Sequence, residues 1–194
     1  MDRQRLIILD RDGVINQDSD DFIKSPGEWQ PIPGSLEAIS RLCQAEYKVV
    51  VISNQSGISR GLLTFNTLNR IHQKMLKQLH GLGGEINAIF FCPHGPDDGC
   101  QCRKPAPGLF NELQQRLQCS LSGVDAVGDS LRDLQAARTA SANPVLVRSG
   151  KGARTEIQLR QESVTAEFGG VPVFDDLAAY VESLRSRGLL EVVS

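Results

Sequence analysis

The sequence predicts an α/β fold built on a mostly parallel sheet, and three observations carry that prediction. Short apolar runs alternate with longer amphipathic ones along the chain, the pattern of successive βαβ units. The first apolar run, Leu6–Leu9, breaks off into two aspartates one residue apart and a glycine, Asp10-Arg11-Asp12-Gly13. Four successive strands end in polar clusters, and in a parallel sheet such ends share one edge, where α/β proteins build their sites.

The elements are read in order. Arg5–Leu9 is a buried strand. Leu36, Ile39, Leu42 and Cys43 recur at helical spacing, so a helix covers Leu36–Glu46, with Gly34 and Ser35 able to cap it. Lys48–Ile52 is a second strand. Thr64 caps a long helix that runs to about Leu82 and closes at Gly83-Gly84. Ile86–Phe91 is a third strand, and Pro107–Leu117 a helix with Leu109, Phe110, Leu113 and Leu117 on one face. Strand Val124–Val127, helix Leu131–Ala140, strand Pro144–Val147, a weaker helix Ala153–Glu162, strand Val171–Phe174 and helix Leu177–Arg187 complete the pattern. Two connections, Asn16 to Pro33 and Cys92 to Pro107, are too long to be plain links.

Composition narrows the function classes. The 194 residues, 40% hydrophobic and 23% charged, suit one globular domain, expected to span 1–194. A net charge of −2 without a basic stripe argues against nucleic acid as partner. No apolar run approaches the ~20 residues needed to cross a bilayer, and Met1–Arg5 leads into the first strand without an apolar signal region. A cytoplasmic location is the default expectation. In that compartment the five cysteines are reduced, and clustered ones suggest metal before disulfide.

The strand ends suit phosphate chemistry. Asp10 can act as a carboxylate nucleophile, and Asp12 can protonate a leaving alcohol and then activate water. Asp129, in Gly128-Asp129-Ser130, supplies a second carboxylate for Mg²⁺, a hard cation that prefers oxygen. Ser53 and the N–H groups after it can bind the transferring oxygens, and Lys104 can offset the charge that develops on them.

The second long connection, taken as a zinc loop over 92–105, holds Cys92, His94, Cys100 and Cys102 within eleven residues. Three thiolates and an imidazole form a closed set of the kind that binds structural Zn²⁺, although the spacing C-x-H-x5-C-x-C is not the common C-x-x-C. A Cys100–Cys102 disulfide is the rival, strained by its single intervening residue. Four protein ligands leave no open position, so the ion would stiffen the loop that carries Arg103 and Lys104. Cys43 and Cys119 read as ordinary thiols, and His72 and His80, on the long helix, as non-functional.

Taken in order, Asp10-x-Asp12-Gly13, Ser53-Asn54, Lys104 and Gly128-Asp129 with Asp133 resemble the four motifs of the haloacid dehalogenase-like (HAD-like) phosphatases. The resemblance implies a three-layer, Rossmann-like, doubly wound parallel sheet, Mg²⁺ dependence and an aspartyl-phosphate intermediate. It implies that Asp10, the backbone carbonyl of Asp12, and Asp129 bind Mg²⁺. The intervals between motifs leave no room for a large cap domain. The zinc loop running into Cys102-Arg103-Lys104-Pro105, with Asn54-Gln55-Ser56-Gly57-Ile58-Ser59-Arg60-Gly61, resembles the heptose-bisphosphate phosphatases of that family, whose sister group acts on histidinol phosphate. That likeness implies removal of a C7 phosphate on the route to nucleotide-activated heptose of the lipopolysaccharide core. It implies substrate contacts from Asp18, Ser19, Asp20 and Asp21 in the acidic first loop, from Asn54, Gln55 and Ser56, from Arg103 for a second phosphate, and from Ser130. Ser130 departs from the lysine that heptose enzymes often carry there. A non-catalytic zinc-loop interaction protein is the alternative of another class, but such a decayed scaffold should lack Asp10, Asp12, Lys104 or Asp129, and none is missing. A nucleic-acid end phosphatase or phosphotransferase is weakened by the acidic charge balance.

Overall fold

The computed structural model describes residues 5–191. The lead Met1–Gln4, where no signal region is expected, lies outside the described residues. Six strands form one sheet: β1 (Leu6–Leu9), β2 (Lys48–Asn54), β3 (Ala88–Cys92), β4 (Asp125–Gly128), β5 (Asn143–Val147) and β6 (Val173–Phe174). They run in the order β3-β2-β1-β4-β5-β6, and every pairing is parallel. The order reverses direction at β1, which is the point at which doubly wound sheets open a crevice beyond their carboxyl ends.

Strand alternation builds the three layers. Ile7 and Leu9 point to one face, with Val49 and Val51 of β2. There they meet α1 (Ser35–Gln44), α2 (Phe65–His80) and α7 (Leu177–Ser186). Leu6 and Ile8 point to the other face, with Val50 and Ile52, against α3 (Gly108–Leu117) and α4 (Leu131–Thr139). Both faces are apolar, so the strands read as continuous rather than alternating hydrophobic runs. Beyond β5, Leu159 from α5 (Gly152–Leu159) and Phe168 from α6 (Glu162–Phe168) pack with Leu134 and Leu146 in a smaller cluster.

Three details differ from the sequence reading. The helix read over Ala153–Glu162 ends at Leu159, and a further helix not read in the sequence, Glu162–Phe168, starts after Gln161 turns extended, with no glycine or proline to mark the break. β6 is shortened to Val173–Phe174. Ser35 does not cap α1. Its hydroxyl donates to the Ile15 carbonyl at 2.6 Å, pinning the first long connection, while Gly34 takes the N-cap with φ 82°. Among the described residues, none of the connections at the carboxyl edge carries a second folded domain.

Candidate active site

Four of the strands, β1 to β4, deliver their polar ends to one cleft. It is lined by Asp10 and Asp12 after β1, Ser53, Asn54, Gln55 and Ser56 at the end of β2, Arg103 and Lys104 after β3, and Asp129 and Ser130 after β4. At its base Lys104 is 3% exposed. Its Nζ lies 2.6 Å from Asp133 Oδ1 and 3.0 Å from Asp10 Oδ1, and donates to the Ile52 carbonyl at 2.8 Å. Burial alone would drive off the lysine proton, but Asp10 and Asp133 together hold it above the usual range. Asp133 was noted in the fourth motif without a role. One of its oxygens meets Lys104, and the other accepts from the Ser130 N–H at 2.9 Å and hydroxyl at 2.6 Å. Both oxygens are engaged, so this carboxylate anchors Lys104 to the start of α4.

The acidic groups do not share one environment. Burial, with Asp133 and Asp12 nearby, pushes Asp10 up to about 7, although Lys104 opposes it. Burial, with Asp133 and Asp10, pushes Asp129 up to about 8. Asp10 Oδ1 is buried and, despite its closeness to Lys104, makes no well-aligned hydrogen bond. Asp129 is held in a cradle of backbone. Its Oδ2 accepts from the Lys151 N–H at 2.7 Å, and a Cβ at Gly13 or Gly150 would fall 2.1 or 2.2 Å from that same oxygen. Both glycines also have positive φ, 84° and 59°, so only glycine suits either position. Oxygens of Asp10, Asp129 and Asp133 come within 4.8 Å of one another. Crowded carboxylates with raised proton affinity and an orphaned buried oxygen fit a divalent cation with hard oxygen ligands.

Asp12 differs. Its carboxylate accepts from Arg11 at 2.8 and 2.9 Å, Asn16 at 2.8 Å and Gln55 at 2.9 Å. Burial would raise its proton affinity, but Arg11, Asn16 and Gln55 hold it below the usual carboxylate range. Its side chain stands outside the group of Asp10, Asp129 and Asp133.

Several expected substrate residues have other commitments as well. Asn54 lines the cleft, but its amide spans the Lys104 main chain, donating to the carbonyl and accepting from the N–H, each at 3.0 Å. Gln55 donates to both Asp12 and Ser53. Asp18, Ser19 and Asp20 reach the cleft, whereas Asp21 does not. The Asp21 N–H closes a turn on the Ser19 hydroxyl, which leaves Asp21 at the exposed tip. The acidity of that loop is offset by Lys151, 2.9 Å from Asp18 and 3.6 Å from Asp20. Lys151 and Arg132, neither singled out in the sequence, and Arg60, part of the Asn54–Gly61 stretch but given no role there, join Arg103 as cations around the cleft. Lys151 follows Gly150 beyond β5, at the same sheet edge, which is the signal that could have marked it.

The cysteines of the 92–105 loop are free thiols in a tight cluster. Cys92 Sγ lies 3.6 Å from Cys100, 3.2 Å from Cys102 and 3.5 Å from His94 Nδ1, and His94 Nδ1 lies 3.3 Å from Cys102. A tetrahedral zinc with Zn–S near 2.3 Å has edges of about 3.8 Å, so the four groups fit that ion with slight expansion. Arg103 is tied to the loop by a hydrogen bond to the His94 carbonyl at 3.2 Å.

A charged lysine buried among carboxylates, at the carboxyl edge of a parallel sheet, is phosphoryl-transfer equipment of the HAD-like kind. Comparison with known proteins agrees. The family described as polynucleotide kinase 3 phosphatase matches residues 5–132, and the HAD-hydrolase-like family matches residues 101–180. A D-glycero-beta-D-manno-heptose-1,7-bisphosphate 7-phosphatase from Bordetella bronchiseptica is 55% identical over 184 residues, covering 93% of this chain and 97% of its own. Its counterpart from Pseudomonas aeruginosa is 50% identical over 179 residues, covering 92% and 97%. The crystal structure of the B. bronchiseptica D,D-heptose 1,7-bisphosphate phosphatase, complexed with magnesium and phosphate, matches with a TM-score of 0.88 at 54% identity over 94% of this chain and 98% of that one. The chain belongs to the HAD-like phosphatases and, among them, to the family of the D-glycero-beta-D-manno-heptose-1,7-bisphosphate 7-phosphatases. Members of that family are phosphoric monoester hydrolases.

Proposed function

We propose that this chain removes the C7 phosphate of D-glycero-beta-D-manno-heptose 1,7-bisphosphate, on the route to nucleotide-activated heptose. The observation that carries the reading is the division of positive charge in the cleft: Lys104 buried at the base, and Arg60, Arg103, Arg132 and Lys151 around it. That division suits a substrate with a phosphate at each end. It favours the bisphosphate over histidinol phosphate, which carries an amine and an imidazole but no second phosphate.

In this reading an oxygen of Asp10 attacks the C7 phosphorus. The new Asp10 O–P bond forms as the P–O bond to C7 breaks, and Asp12 gives its proton to the departing sugar oxygen. The incoming phosphate dianion, set beside Asp12, raises the proton affinity that its hydrogen bonds otherwise depress. Asp12 then takes a proton from water, which attacks the aspartyl-phosphate, releases inorganic phosphate and restores Asp10. Ser53 and the N–H groups after it bind the transferring oxygens, and Lys104 offsets the charge on them. Asp10, Asp129 and the Asp12 carbonyl would hold Mg²⁺, which supplies further positive charge to the same oxygens. Cys92, His94, Cys100 and Cys102 would hold Zn²⁺, keeping the loop that bears Arg103 and Lys104 in place.

We take the chain to be one domain over 1–194, with the zinc loop at 92–105, acting as a cytoplasmic monomer. No helix among the described residues is long and apolar enough to cross a membrane. Phosphorus NMR of the heptose bisphosphate incubated with enzyme and Mg²⁺ tests the substrate and the position together. The C7 resonance should convert to inorganic phosphate while the C1 resonance persists. Loss of the C1 phosphate first, or faster turnover of histidinol phosphate, would overturn the assignment.

A further inference from the structure

Two buried polar side chains near the cleft have no part in the scheme above. Arg11 is 1% exposed and His72, from the middle of α2, is 7% exposed. Arg11 is more than a partner for its neighbour Asp12. Its Nη2 also donates to Gln55 Oε1 at 3.1 Å, which turns the Gln55 amide so that Nε2 donates to Asp12 Oδ2. The other terminal nitrogen, Nη1, lies 3.3 Å from His72 Nε2. A guanidinium only donates, so His72 Nε2 must accept and the ring proton must sit on Nδ1. A neutral ring agrees with its surroundings, since burial and then Arg11 hold His72 down to about 4. The ring is also fixed sideways by an edge contact with Phe91, at 6.1 Å between centroids. A chain of contacts therefore runs from α2 through Arg11 to the carboxylate that handles the proton.

We propose that His72 is a positioning residue for proton transfer: it fixes the Arg11 guanidinium, which with Gln55 sets the angle of the Asp12 carboxylate toward the leaving oxygen. The proposal rests on Asp12 serving as the acid–base group. His72 does not line the cleft. What it governs is where the Asp12 oxygens point, and misplacing a reacting group by about 1 Å can cost on the order of a hundredfold.

The test exploits leaving groups. An alkyl oxygen such as that on C7 needs a proton to depart, whereas p-nitrophenolate does not. kcat/KM covers the steps up to loss of the leaving group, so it isolates the acid role from the later attack by water. In His72→Asn and His72→Leu no acceptor reaches the Nε2 position. Either should lose about ten- to a hundredfold in kcat/KM on the heptose bisphosphate and stay within about twofold of the parent on p-nitrophenyl phosphate. His72→Gln, whose amide oxygen reaches that position, should restore most of the loss. Equal losses on both substrates would mean that His72 is merely structural, and no loss on the bisphosphate would also overturn the proposal. Asp12→Asn, run alongside, separates the two readings. If it shows the same split and the His72 variants do not, the positioning role fails alone. If it shows no split, the acid–base reading of Asp12 fails and takes the positioning role with it.

Discussion

Replacing Lys104 by methionine keeps most of the side-chain volume and removes the charge. At 2.6 and 3.0 Å, its contacts with Asp133 and Asp10 each represent about 6 kcal/mol of gross attraction at an effective dielectric near 20. Taking the ammonium out of water costs several kcal/mol, and the lost bond to the Ile52 carbonyl leaves another polar atom unpaired. Removing one member of such a buried group costs about 3–5 kcal/mol net, because Asp10, Asp129 and Asp133 are left facing one another. For a chain of this length that is roughly 6–20 °C in Tm at about 2–4 °C per kcal/mol. Chemical denaturation of Lys104→Met with and without Mg²⁺ measures it. The account expects the full loss in EDTA and partial recovery in Mg²⁺, since a divalent cation neutralises the same carboxylates. Turnover should fall on every phosphate ester by a similar factor, because the transferring group is common to all. Unchanged stability in EDTA, or an activity loss confined to the bisphosphate, would refute the reasoning.

The remaining expectations concern other parts of the site. His72, held at about 4 in the fold against an ordinary 6.5, binds its proton less well folded than unfolded. Folding stability should therefore fall by up to about 3 kcal/mol as pH drops from 6.5 toward 4, and denaturant titrations in saturating Mg²⁺ should show His72→Gln lacking that slope. About one zinc per chain should survive gel filtration, and Cys100→Ser should lower both zinc content by elemental analysis and kcat, because Lys104 loses its support. Arg103→Ala should mainly raise KM, by about ten- to a hundredfold for the heptose bisphosphate and far less for a simple monophosphate, the loss of one charge-assisted hydrogen bond. Equal losses on both substrates would mean that Arg103 reads no second phosphate.

What was legible in the sequence was whatever sits at a strand end or within one short segment. Asp10, Ser53 and Asp129 stand at or just after an apolar run, with Asp12 two residues on from Asp10, and the parallel sheet brings such ends together, while Lys104 was marked by the short Cys/His segment that it follows. The four zinc-loop residues lie close in sequence, so their clustering needed no knowledge of the fold. What escaped depends on pairing across the fold. Arg11 and His72 are 61 positions apart and meet only because α2 packs against the edge beside β1. His72 falls on the same helical stripe as Leu68, Ile71, Met75 and Leu79, so its burial could have been read, though not its partner. The match of Lys151 to Asp18, from distant parts of the chain, has no local signature at all. It also explains why so acidic a loop can border a site for an anionic substrate. Asp21 shows the reverse error: membership in that loop did not bring it to the cleft, because the turn closed by Ser19 points it outward.

The central claim is that Asp10 carries the phosphoryl group. Enzyme quenched in acid during steady turnover of the heptose bisphosphate, then treated with hydroxylamine, converts an aspartyl-phosphate to a hydroxamate that peptide mass spectrometry can locate. The account predicts the modification at Asp10, dependent on substrate and Mg²⁺ and absent from Asp10→Asn, which should also have lost turnover. A modification at another carboxylate, or an Asp10→Asn protein free of deamidated enzyme that still turns over, would contradict it.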